Sequence, residues 1–266
     1  MSEQNESAAS DERRAACVAQ LIDARRSRRT LESLVHPPES DEEAYLIQRA
    51  ATAGMGSDIV GWKIGATSSF AQRFLGCAGP FSGPILAGDV FETHVVLAAD
   101  RLLNPMIEPE IAVVLGSDLD ATTGTITAAT ARAAVAEVRP AIEVVGGCFP
   151  DITSCGYRSV IADRGANVGL VLGDAVDGWS DIDLAAVPIA LLRNDREIGS
   201  GVGADALGGP MHALAWLANH LGERGLALTA GQVVTTGTCG GVTPIAVGDR
   251  GVATHGPLGG VELSYR

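Results

Sequence analysis

The sequence predicts an α+β protein, in which a small helical N-terminal lobe precedes a mixed, mostly antiparallel β body. Before about residue 55, apolar residues recur at helical spacing. After Gly56, short β-type runs separated by Gly, Pro, Asp and Asn outnumber the helices. These runs show no regular strand–helix alternation, which argues against a doubly wound parallel sheet. We therefore assign residues 1–55 to the lobe and residues 56–266 to the body.

The lobe divides into a tail and two helices. Residues 1–10 are polar, and we expect them to be disordered. From Asp11 to about Arg29, charged residues alternate with an apolar set in the manner of a surface helix. His36-Pro37-Pro38 interrupts the chain, and Ser40-Asp41-Glu42-Glu43 then has the form of a capping box that begins a second helix.

The body is predicted to consist of short strands interrupted by a few helices. The predicted strands are 58–64, 84–91, 94–98, 107–115, 141–146, 168–173, 187–193, 232–236, 251–255 and 260–265. The predicted helices are 69–75, about 128–138, and 211–221, the last with Pro210 in its first turn. Gly201–Ala206 fits a GxGxxA dinucleotide pattern, but no βαβ unit surrounds it, so we interpret it as a loop before the Pro210 helix.

Composition and charge limit the partners of this chain. With 266 residues and a net charge of −13, it is too acidic to favour nucleic acid or an anionic membrane surface. No apolar run approaches the roughly 18 residues of a membrane span. The polar N-terminus does not resemble a signal peptide, and the five cysteines are scattered without a CxxC motif. We therefore expect a cytoplasmic protein with reduced thiols.

Lysine is almost absent from the sequence. Lys63 is the one lysine among 19 lysine and arginine residues, and it lies in the apolar, glycine-flanked stretch Val60–Gly65. A single lysine among the basic residues can occur by chance. The alternative is that this position needs a compact ammonium group that can release its proton, which a guanidinium group cannot do.

Two glutamates in one strand are the first sign of chemistry. In Ile107-Glu108-Pro109-Glu110-Ile111, Glu108 and Glu110 are two residues apart, so their side chains share a face of the strand. Two carboxylates about 4 Å apart repel by about 4 kcal/mol at an effective dielectric constant of about 20, and water, a shared proton or a cation must offset this. Pro109 cannot donate to a ladder, which predicts a sheet edge or a bulge.

A third acid, Glu143, interrupts the apolar strand Pro140–Gly146. Buried without a partner it would be costly, and Arg139 is the nearby candidate for a salt bridge. Three carboxylates on strands suit a hard cation such as Mg²⁺ or Mn²⁺. The pattern alone fits equally well with two solvated glutamates and one salt bridge.

Six motifs occur in an order that carries a resemblance over most of the chain, from about residue 11 to the C-terminus. They are Gly61-Trp62-Lys63-Ile64-Gly65, Glu108-Pro109-Glu110-Ile111-Ala112, Pro140-Ala141-Ile142-Glu143-Val144-Val145, Ala162-Asp163, Gly208-Gly209-Pro210 with Ala215-Trp216-Leu217-Ala218, and Thr235-Thr236-Gly237-Thr238. Together they resemble the 2-hydroxypenta-2,4-dienoate (2-keto-4-pentenoate) hydratase branch of the fumarylacetoacetate hydrolase superfamily.

The resemblance implies a β-roll fold, a divalent metal and a set of site residues. Glu108, Glu110 and Glu143 would bind Mg²⁺ or Mn²⁺, and Lys63 would lie in the active site. The family's active-site aspartate matches Asp163, and its Thr-Gly pair matches Thr236 and Gly237, which we expect to bind substrate. The resemblance also implies a homo-oligomer and allows a complex with another enzyme of the same pathway.

The sequence departs from the family pattern around the expected substrate pocket. The family commonly has asparagine after the aspartate, where this chain has Arg164. It often has a Ser-Arg pair soon after the third glutamate, where this chain has Gly147-Cys148. A further family aspartate aligns with Gly88, and Asp89 follows it. These changes leave the three glutamates intact, so the metal and the type of reaction are better supported than the substrate.

The implied reaction is the addition of water to a 2-hydroxy-2,4-dienoate, giving a 4-hydroxy-2-oxo acid in the catabolism of aromatic or related ring compounds. Lys63, with a pKa lowered by the metal, would hold the carboxylate or move protons, Asp89 or Asp163 would activate the water, and Arg164 would bind substrate.

Three alternatives stay open at the level of the sequence. A metal-dependent decarboxylase of 2-oxo-3-enedioates would use Arg164 or Arg158 for the second carboxylate. Hydrolysis of a C–C bond in acylpyruvates would need a His–Glu pair, for which His36 is the candidate in the lobe. A non-enzymatic alternative is an inactive subunit that assembles with an active paralogue.

Overall fold

The structure, a computed structural model, describes residues 3–266, and the side chains from residue 8 onward. This part of the chain contains six α-helices and thirteen strands, joined by turns and short 3₁₀ segments. The helices are α1 (Glu3–Ser27), α2 (Asp41–Met55), α3 (Ser69–Leu75), α4 (Ala128–Ala133), α5 (Tyr157–Ala162) and α6 (Pro210–Gly222). The strands are β1 (Ile59–Gly65), β2 (Phe81–Leu86), β3 (Val90–Glu92), β4 (Val95–Leu97), β5 (Met106–Leu115), β6 (Val135–Val145), β7 (Asn167–Leu172), β8 (Pro188–Arg193), β9 (Arg196–Val202), β10 (Val233–Thr238), β11 (Thr243–Pro244), β12 (Arg250–Thr254) and β13 (Gly260–Tyr265).

The strands form two mixed sheets. The larger sheet has the order β2-β1-β10-β5-β6-β7-β3, with β11 added beside β5, and the smaller has the order β4-β13-β12-β8-β9. Within residues 3–266, β1 with β10, β3 with β7 and β4 with β13 pair in parallel, and the other pairings are antiparallel. The predicted mixed, mostly antiparallel α+β fold is confirmed. Over the same residues, no helix combines the length and apolar character needed to cross a bilayer.

The two N-terminal helices pack on the body rather than standing apart from it. Leu21 of α1 and Ile47 of α2 share one buried apolar cluster with Phe149 and Ala162 of the body. Helix α2 begins as the capping pattern predicts, because the Ser40 side chain accepts a hydrogen bond from the backbone N–H of Glu43.

The tail differs from the expectation of disorder over residues 1–10. Helix α1 begins at Glu3, so the described part of that segment is helical, while Met1 and Ser2 lie outside the described residues. Glu, Gln and Ala are good helix formers, and they let the helix extend backwards from the apolar repeat that begins near Asp11.

Several elements of the body differ from the predictions. The strand expected over 84–91 is divided, because the 3₁₀ turn Ala87–Asp89 separates β2 from β3. The two-residue strand β11 was not predicted. The helix expected over 128–138 ends at Ala133, because Val135 begins β6 in the centre of the larger sheet. Strand β9 was not predicted, since Arg196–Val202 is polar and rich in glycine and is ordered mainly by pairing with β8. Helix α5 was also not predicted, because six residues are too few to show helical periodicity.

Candidate active site

Three glutamates converge on one face of the larger sheet. Glu108 and Glu110 alternate along β5 as predicted, and Ile107 and Ile111 point into the core on the other face. Glu143 on β6 lies directly opposite Glu108 in the antiparallel register. One carboxylate oxygen from each glutamate lies within 4.8 Å of the others, and the side chains of Glu110 and Glu143 are fully buried.

Pro109 does not lie at a sheet edge, which corrects one of the two positions expected for it. Strand β5 is flanked by β10 and β6. The register between β10 and β5 is irregular between Thr235 and Thr238, and the carbonyl of Pro109 accepts a hydrogen bond from the N–H of Cys239 beyond that point. The missing N–H of Pro109 therefore faces an interruption of the ladder, where no donor is needed.

Each buried glutamate has one satisfied oxygen and one free oxygen. The N–H of Gly237 donates to Glu110 Oε2 at 2.8 Å, and the side-chain amide of Asn167 donates to Glu143 Oε1 at 2.9 Å. Lys63 Nζ lies 3.4 Å from the same Glu143 oxygen. Among the described side chains, Glu110 Oε1 and Glu143 Oε2 are buried acceptors without a hydrogen-bond partner. Buried acceptors that converge in this way fit a hard divalent cation.

The pKa values of the cluster also indicate that it requires a further positive charge. Burial, and then the charge of Glu143, raise the pKa of Glu108 to about 7, although Lys63 opposes the shift. Burial and the two neighbouring carboxylates raise the pKa of Glu110 well above its usual range. Burial by itself would lower the pKa of Lys63, but Glu143, Glu108 and Glu110 together outweigh it and raise that pKa. Without a further cation, the cluster therefore retains protons near neutral pH.

A cavity of about 640 Å³ opens above this cluster and is reached by Lys63 and Glu108. Its walls are mostly apolar, and helix α3 contributes Phe70 and Phe74, whose rings stack with centroids 6.2 Å apart. Among the described residues that line the cavity, Lys63 is the only cation. Larger apolar side chains that also line the wall include Ile64, Leu75, Phe81, Val145, Ile152, Val160 and Val242.

The structure brings Asp163, Asp89 and Arg164 to ion-pair partners rather than to the wall of this cavity. Arg25 Nε donates to Asp163 Oδ1 at 2.7 Å, and Asp163 also accepts from the N–H of Cys148 at 2.7 Å. Arg164 donates to Asp89 Oδ2 at 2.8 Å. Arg25 was not identified from the sequence, because it lies 138 residues before its partner on a helix that reads as a solvated surface.

The Arg164–Ala166 segment reaches the site through its backbone. Arg164, Gly165 and Ala166 all have positive φ angles, and Gly165 lies so close to Lys63 that an added Cβ would stand 3.2 Å from Lys63 Cδ. This tight backbone turn, rather than the Arg164 side chain, supports the stem of the lysine.

Thr236 and Gly237 support the cluster from β10. The Thr236 hydroxyl is buried and donates to the carbonyl of Ile111 at 2.8 Å, while Gly237 holds Glu110. Gly237 has φ 108°, and a Cβ there would collide with the Thr67 side chain. Asn167, the partner of Glu143, was not predicted; its position as a polar residue at the start of an apolar strand is the signal that could have identified it.

Comparisons with known proteins agree with this architecture. Residues 84–262 match the family described as Fumarylacetoacetate (FAA) hydrolase C-terminal. The chain is 33% identical to a 2-keto-4-pentenoate hydratase of Paraburkholderia phymatum, over 96% of this chain and 98% of that protein. It is 34% identical to a 2-hydroxyhexa-2,4-dienoate hydratase of Comamonas testosteroni, over 86% of this chain and 89% of the relative.

A solved structure shares the whole fold. The 4-oxalocrotonate decarboxylase from Pseudomonas putida G7, complexed with magnesium and adipate, superposes with a TM-score of 0.89 at 26% identity, covering 96% of this chain and 98% of that one. These matches and the order of the site motifs lead to one conclusion. The chain belongs to the fumarylacetoacetate hydrolase family, in the group that contains the 2-keto-4-pentenoate hydratases.

Proposed function

We propose that this protein is a metal-dependent hydratase that adds water to a 2-hydroxy-2,4-dienoate to give a 4-hydroxy-2-oxo acid. The observation that carries the proposal is the convergence of Glu108, Glu110 and Glu143 beside Lys63, at the floor of a cavity with apolar walls. The names of the relatives support the same reaction, since they are hydratases of 2-keto-4-pentenoate and of 2-hydroxyhexa-2,4-dienoate.

The three glutamates are proposed to hold Mg²⁺ or Mn²⁺. The two free buried oxygens and the all-carboxylate donor set favour such a hard cation. When bound, the metal would supply a Lewis acid that stabilises negative charge on the carboxylate and 2-oxygen of the substrate. The magnesium bound in the structure of the related decarboxylase is consistent with this choice.

Lys63 is proposed to bind the substrate carboxylate and to move protons during the reaction. A proton added at C5 of the dienol, with loss of the proton from the 2-hydroxyl, gives a 2-oxo-3-enoate. Water then adds across the C3–C4 double bond, with its hydroxyl group at C4 and its proton at C3, which gives the 4-hydroxy-2-oxo acid. Because Lys63 is buried and is held by Glu143, its ammonium group is fixed in place at the floor of the cavity.

The residue that activates water stays a prediction. Asp89 and Asp163 were expected in this role, and each is engaged by an arginine, Arg164 for Asp89 and Arg25 for Asp163. Substrate binding by Arg164, Thr236 and Gly237 also stays a prediction. Arg164, Thr236 and Gly237 are proposed to position the strands and the turn that carry Lys63 and Glu110.

An assay of the purified protein tests the function directly. With Mg²⁺ or Mn²⁺ added, 2-hydroxypenta-2,4-dienoate is expected to lose its dienol absorbance and to form 4-hydroxy-2-oxopentanoate, identified by mass spectrometry. Chelation of the metal should abolish the reaction. A protein that leaves the dienol unchanged with either metal would contradict the proposal and favour the inactive-subunit alternative.

The composition of the cavity favours the hydratase over the two other reactions. A 2-oxo-3-enedioate decarboxylase would need a cation for the second carboxylate, but Arg164 pairs with Asp89 and Arg158 pairs with Asp41. Release of CO₂ from 4-oxalocrotonate would reverse this preference. For the C–C hydrolase, the candidate His36 belongs to the lobe and is not among the residues lining the cavity.

We also propose a cytoplasmic homo-oligomer. All five cysteines, each within the described residues, are free thiols, which favours a reducing compartment. Leu46, Val96 and Val247 are exposed apolar side chains that could serve as subunit contacts. Light scattering of the purified protein measures the subunit number, and co-purification with enzymes of the same pathway tests the expected complex.

A further inference from the structure

The wall of the active-site cavity carries one acidic residue that the proposed chemistry does not use. Asp205 ends the 3₁₀ turn that follows β9, in the Gly201–Ala206 segment that matches a dinucleotide pattern in the sequence. It lines the same cavity as Lys63 and Glu108. Unlike Glu110 and Glu143, it is an exposed residue, so it borders the open part of the cavity.

The carboxylate of Asp205 is held in place. The N–H of Val202 donates to Asp205 Oδ2 at 2.9 Å. Gly201 permits this position, because a Cβ at Gly201 would collide with Asp205 Oδ2 and with the carbonyl of Cys239. The backbone of β9 and the segment after β10 thus fix a negative charge on the wall.

No arginine balances this charge within the cavity. Among the described lining residues, the charged groups are Lys63, Glu108 and Asp205, and Lys63 is already paired with Glu143. The rest of the wall is largely apolar. Burial, and then the charges of Glu110 and Asp205, raise the pKa of the Cys239 thiol, so the fields of the glutamate cluster and of Asp205 overlap at one residue. A substrate that brings a second carboxylate would meet repulsion in this space.

We propose that Asp205 is a specificity-determining residue that excludes dicarboxylates and restricts the cavity to 2-oxo or 2-hydroxy acids with an uncharged far end. This inference rests on the proposed function, because it assigns the substrate's 2-oxo acid end to the floor of the cavity. Selection arises from an unfavourable interaction with the wrong ligand as well as from the apolar contacts made by the right one. The related decarboxylase structure holds adipate, a dicarboxylate, so the two proteins are expected to differ here.

A matched pair of ligands tests the proposal without turnover. 2-Oxohexanoate and 2-oxoadipate have the same number of carbons and the same 2-oxo acid end, and they differ in a terminal methyl or carboxylate group. Their dissociation constants are measured by calorimetry on the Mg²⁺-loaded protein. The wild type should bind 2-oxohexanoate at least about tenfold more tightly, and Asp205→Asn should reduce this preference to about twofold, by strengthening 2-oxoadipate binding.

Asp177→Asn is the control, because it removes one negative charge from an exposed turn that is not part of the cavity wall. It should keep the wild-type preference. The proposal is overturned if the wild type binds both ligands equally, if Asp205→Asn leaves the preference unchanged, or if Asp177→Asn shifts it equally. Because the readout is binding, a protein without hydratase activity could still show the predicted preference, so the two proposals fail separately.

Discussion

Glu108 and Glu143 face each other directly across the β5–β6 ladder, as like charges in the centre of a sheet. Such a cross-strand pair is unfavourable unless a proton or a cation is shared between the carboxylates. Lys63 supplies one positive charge against three carboxylates. The metal-free protein must therefore keep protons on this cluster, and metal binding must displace them.

The first prediction concerns the pH dependence of metal binding. Burial and Glu143 raise the pKa of Glu108 to about 7 in the folded, metal-free protein, so this carboxyl is protonated below that pH and ionised above it. Since the metal needs the ionised form, Mn²⁺ affinity should fall by about tenfold per pH unit for each proton displaced as the pH decreases below 7. Titration calorimetry at pH 6 and pH 8, in buffers of different ionisation enthalpy, measures both affinity and proton release.

The same shift has a consequence for stability. Between the ordinary pKa of a glutamate and pH 7, the folded metal-free protein binds more protons than the unfolded chain, so its stability decreases as the pH rises through this range. Added Mn²⁺ should therefore raise the melting temperature more at pH 8 than at pH 6. Glu143→Gln should lose most of the Mn²⁺ effect, whereas Glu137→Gln, an exposed glutamate on the same strand, should keep it. Equal effects in the two variants would argue against a metal at this cluster.

The second prediction separates the lysine from the metal site. Lys63→Met should reduce kcat by at least about 100-fold, because it removes the positioned proton donor. Mn²⁺ affinity should stay the same or increase, since a positive charge beside the three carboxylates is lost. Lys63→Arg should not restore activity, because the backbone at Gly165 leaves no space for a larger head group. Steady-state kinetics and Mn²⁺ titration of both variants provide the measurement, and unchanged turnover in Lys63→Met would end this assignment.

The third prediction uses two glycines that both have left-handed backbone conformations. Gly237→Ala should weaken Mn²⁺ binding by about 10-fold to 100-fold, because the new Cβ meets Thr67 and displaces the N–H that holds Glu110. Gly231→Ala is the control: its φ is 85°, and a Cβ there meets no atom within 4 Å. It should lose about 1 kcal/mol of stability and keep the metal affinity. Urea unfolding and Mn²⁺ titration distinguish the two effects, and equal metal affinity in both variants would show that Gly237 does not position Glu110.

The fourth prediction concerns the buried ion pair between Arg25 and Asp163, which joins helix α1 to the turn before β7. Arg25→Met should destabilise the protein by about 3–5 kcal/mol, because it leaves the Asp163 carboxylate buried without its cation. Asp163→Asn in the same background should recover part of that loss, as denaturant unfolding of the single and double variants can measure. If Asp163 also activates water, Asp163→Asn alone should abolish turnover under conditions in which the variant remains folded, besides destabilising the protein by leaving Arg25 without its anion.

Local patterns predicted the face of β5 that carries the acids, but they did not predict its neighbours. Alternation along the strand placed Glu108 and Glu110 together, and the structure confirms it. The register that brings Glu143 opposite Glu108 depends on sheet pairing between distant segments, and it was not predicted. Only the family resemblance implied that the three glutamates meet at one metal. Pro109 shows the same limit: its missing N–H indicated an interrupted ladder, and the interruption lies in the neighbouring β10 rather than at a sheet edge.

The partners of the site residues were the least predictable part. The family resemblance predicts that Asp163 is an active-site acid. In the structure, Arg25 donates a hydrogen bond to its carboxylate. This partner could not be predicted, because helix α1 is distant in the chain and its sequence shows only a charged surface pattern. The sequence pattern does not indicate a role for Asp205, because its segment has the character of a loop. The packing of β9 against the segment after β10 brings Asp205 to the cavity. Short polar elements such as β9 acquire their structure from tertiary contacts, which no local periodicity records.

The charged residues at the floor of the site, together with the groups that orient them, belong to β1, β10, β5, β6 and β7, which are consecutive neighbours in one sheet. Much of the upper wall belongs to a short helix and to turns, where Phe70, Val242 and Asp205 are found. Substitutions in the wall can therefore accumulate without disturbing the interlocked strands beneath. Because the two parts are separate, substrate preference can change during evolution while the catalytic residues on the sheet are retained.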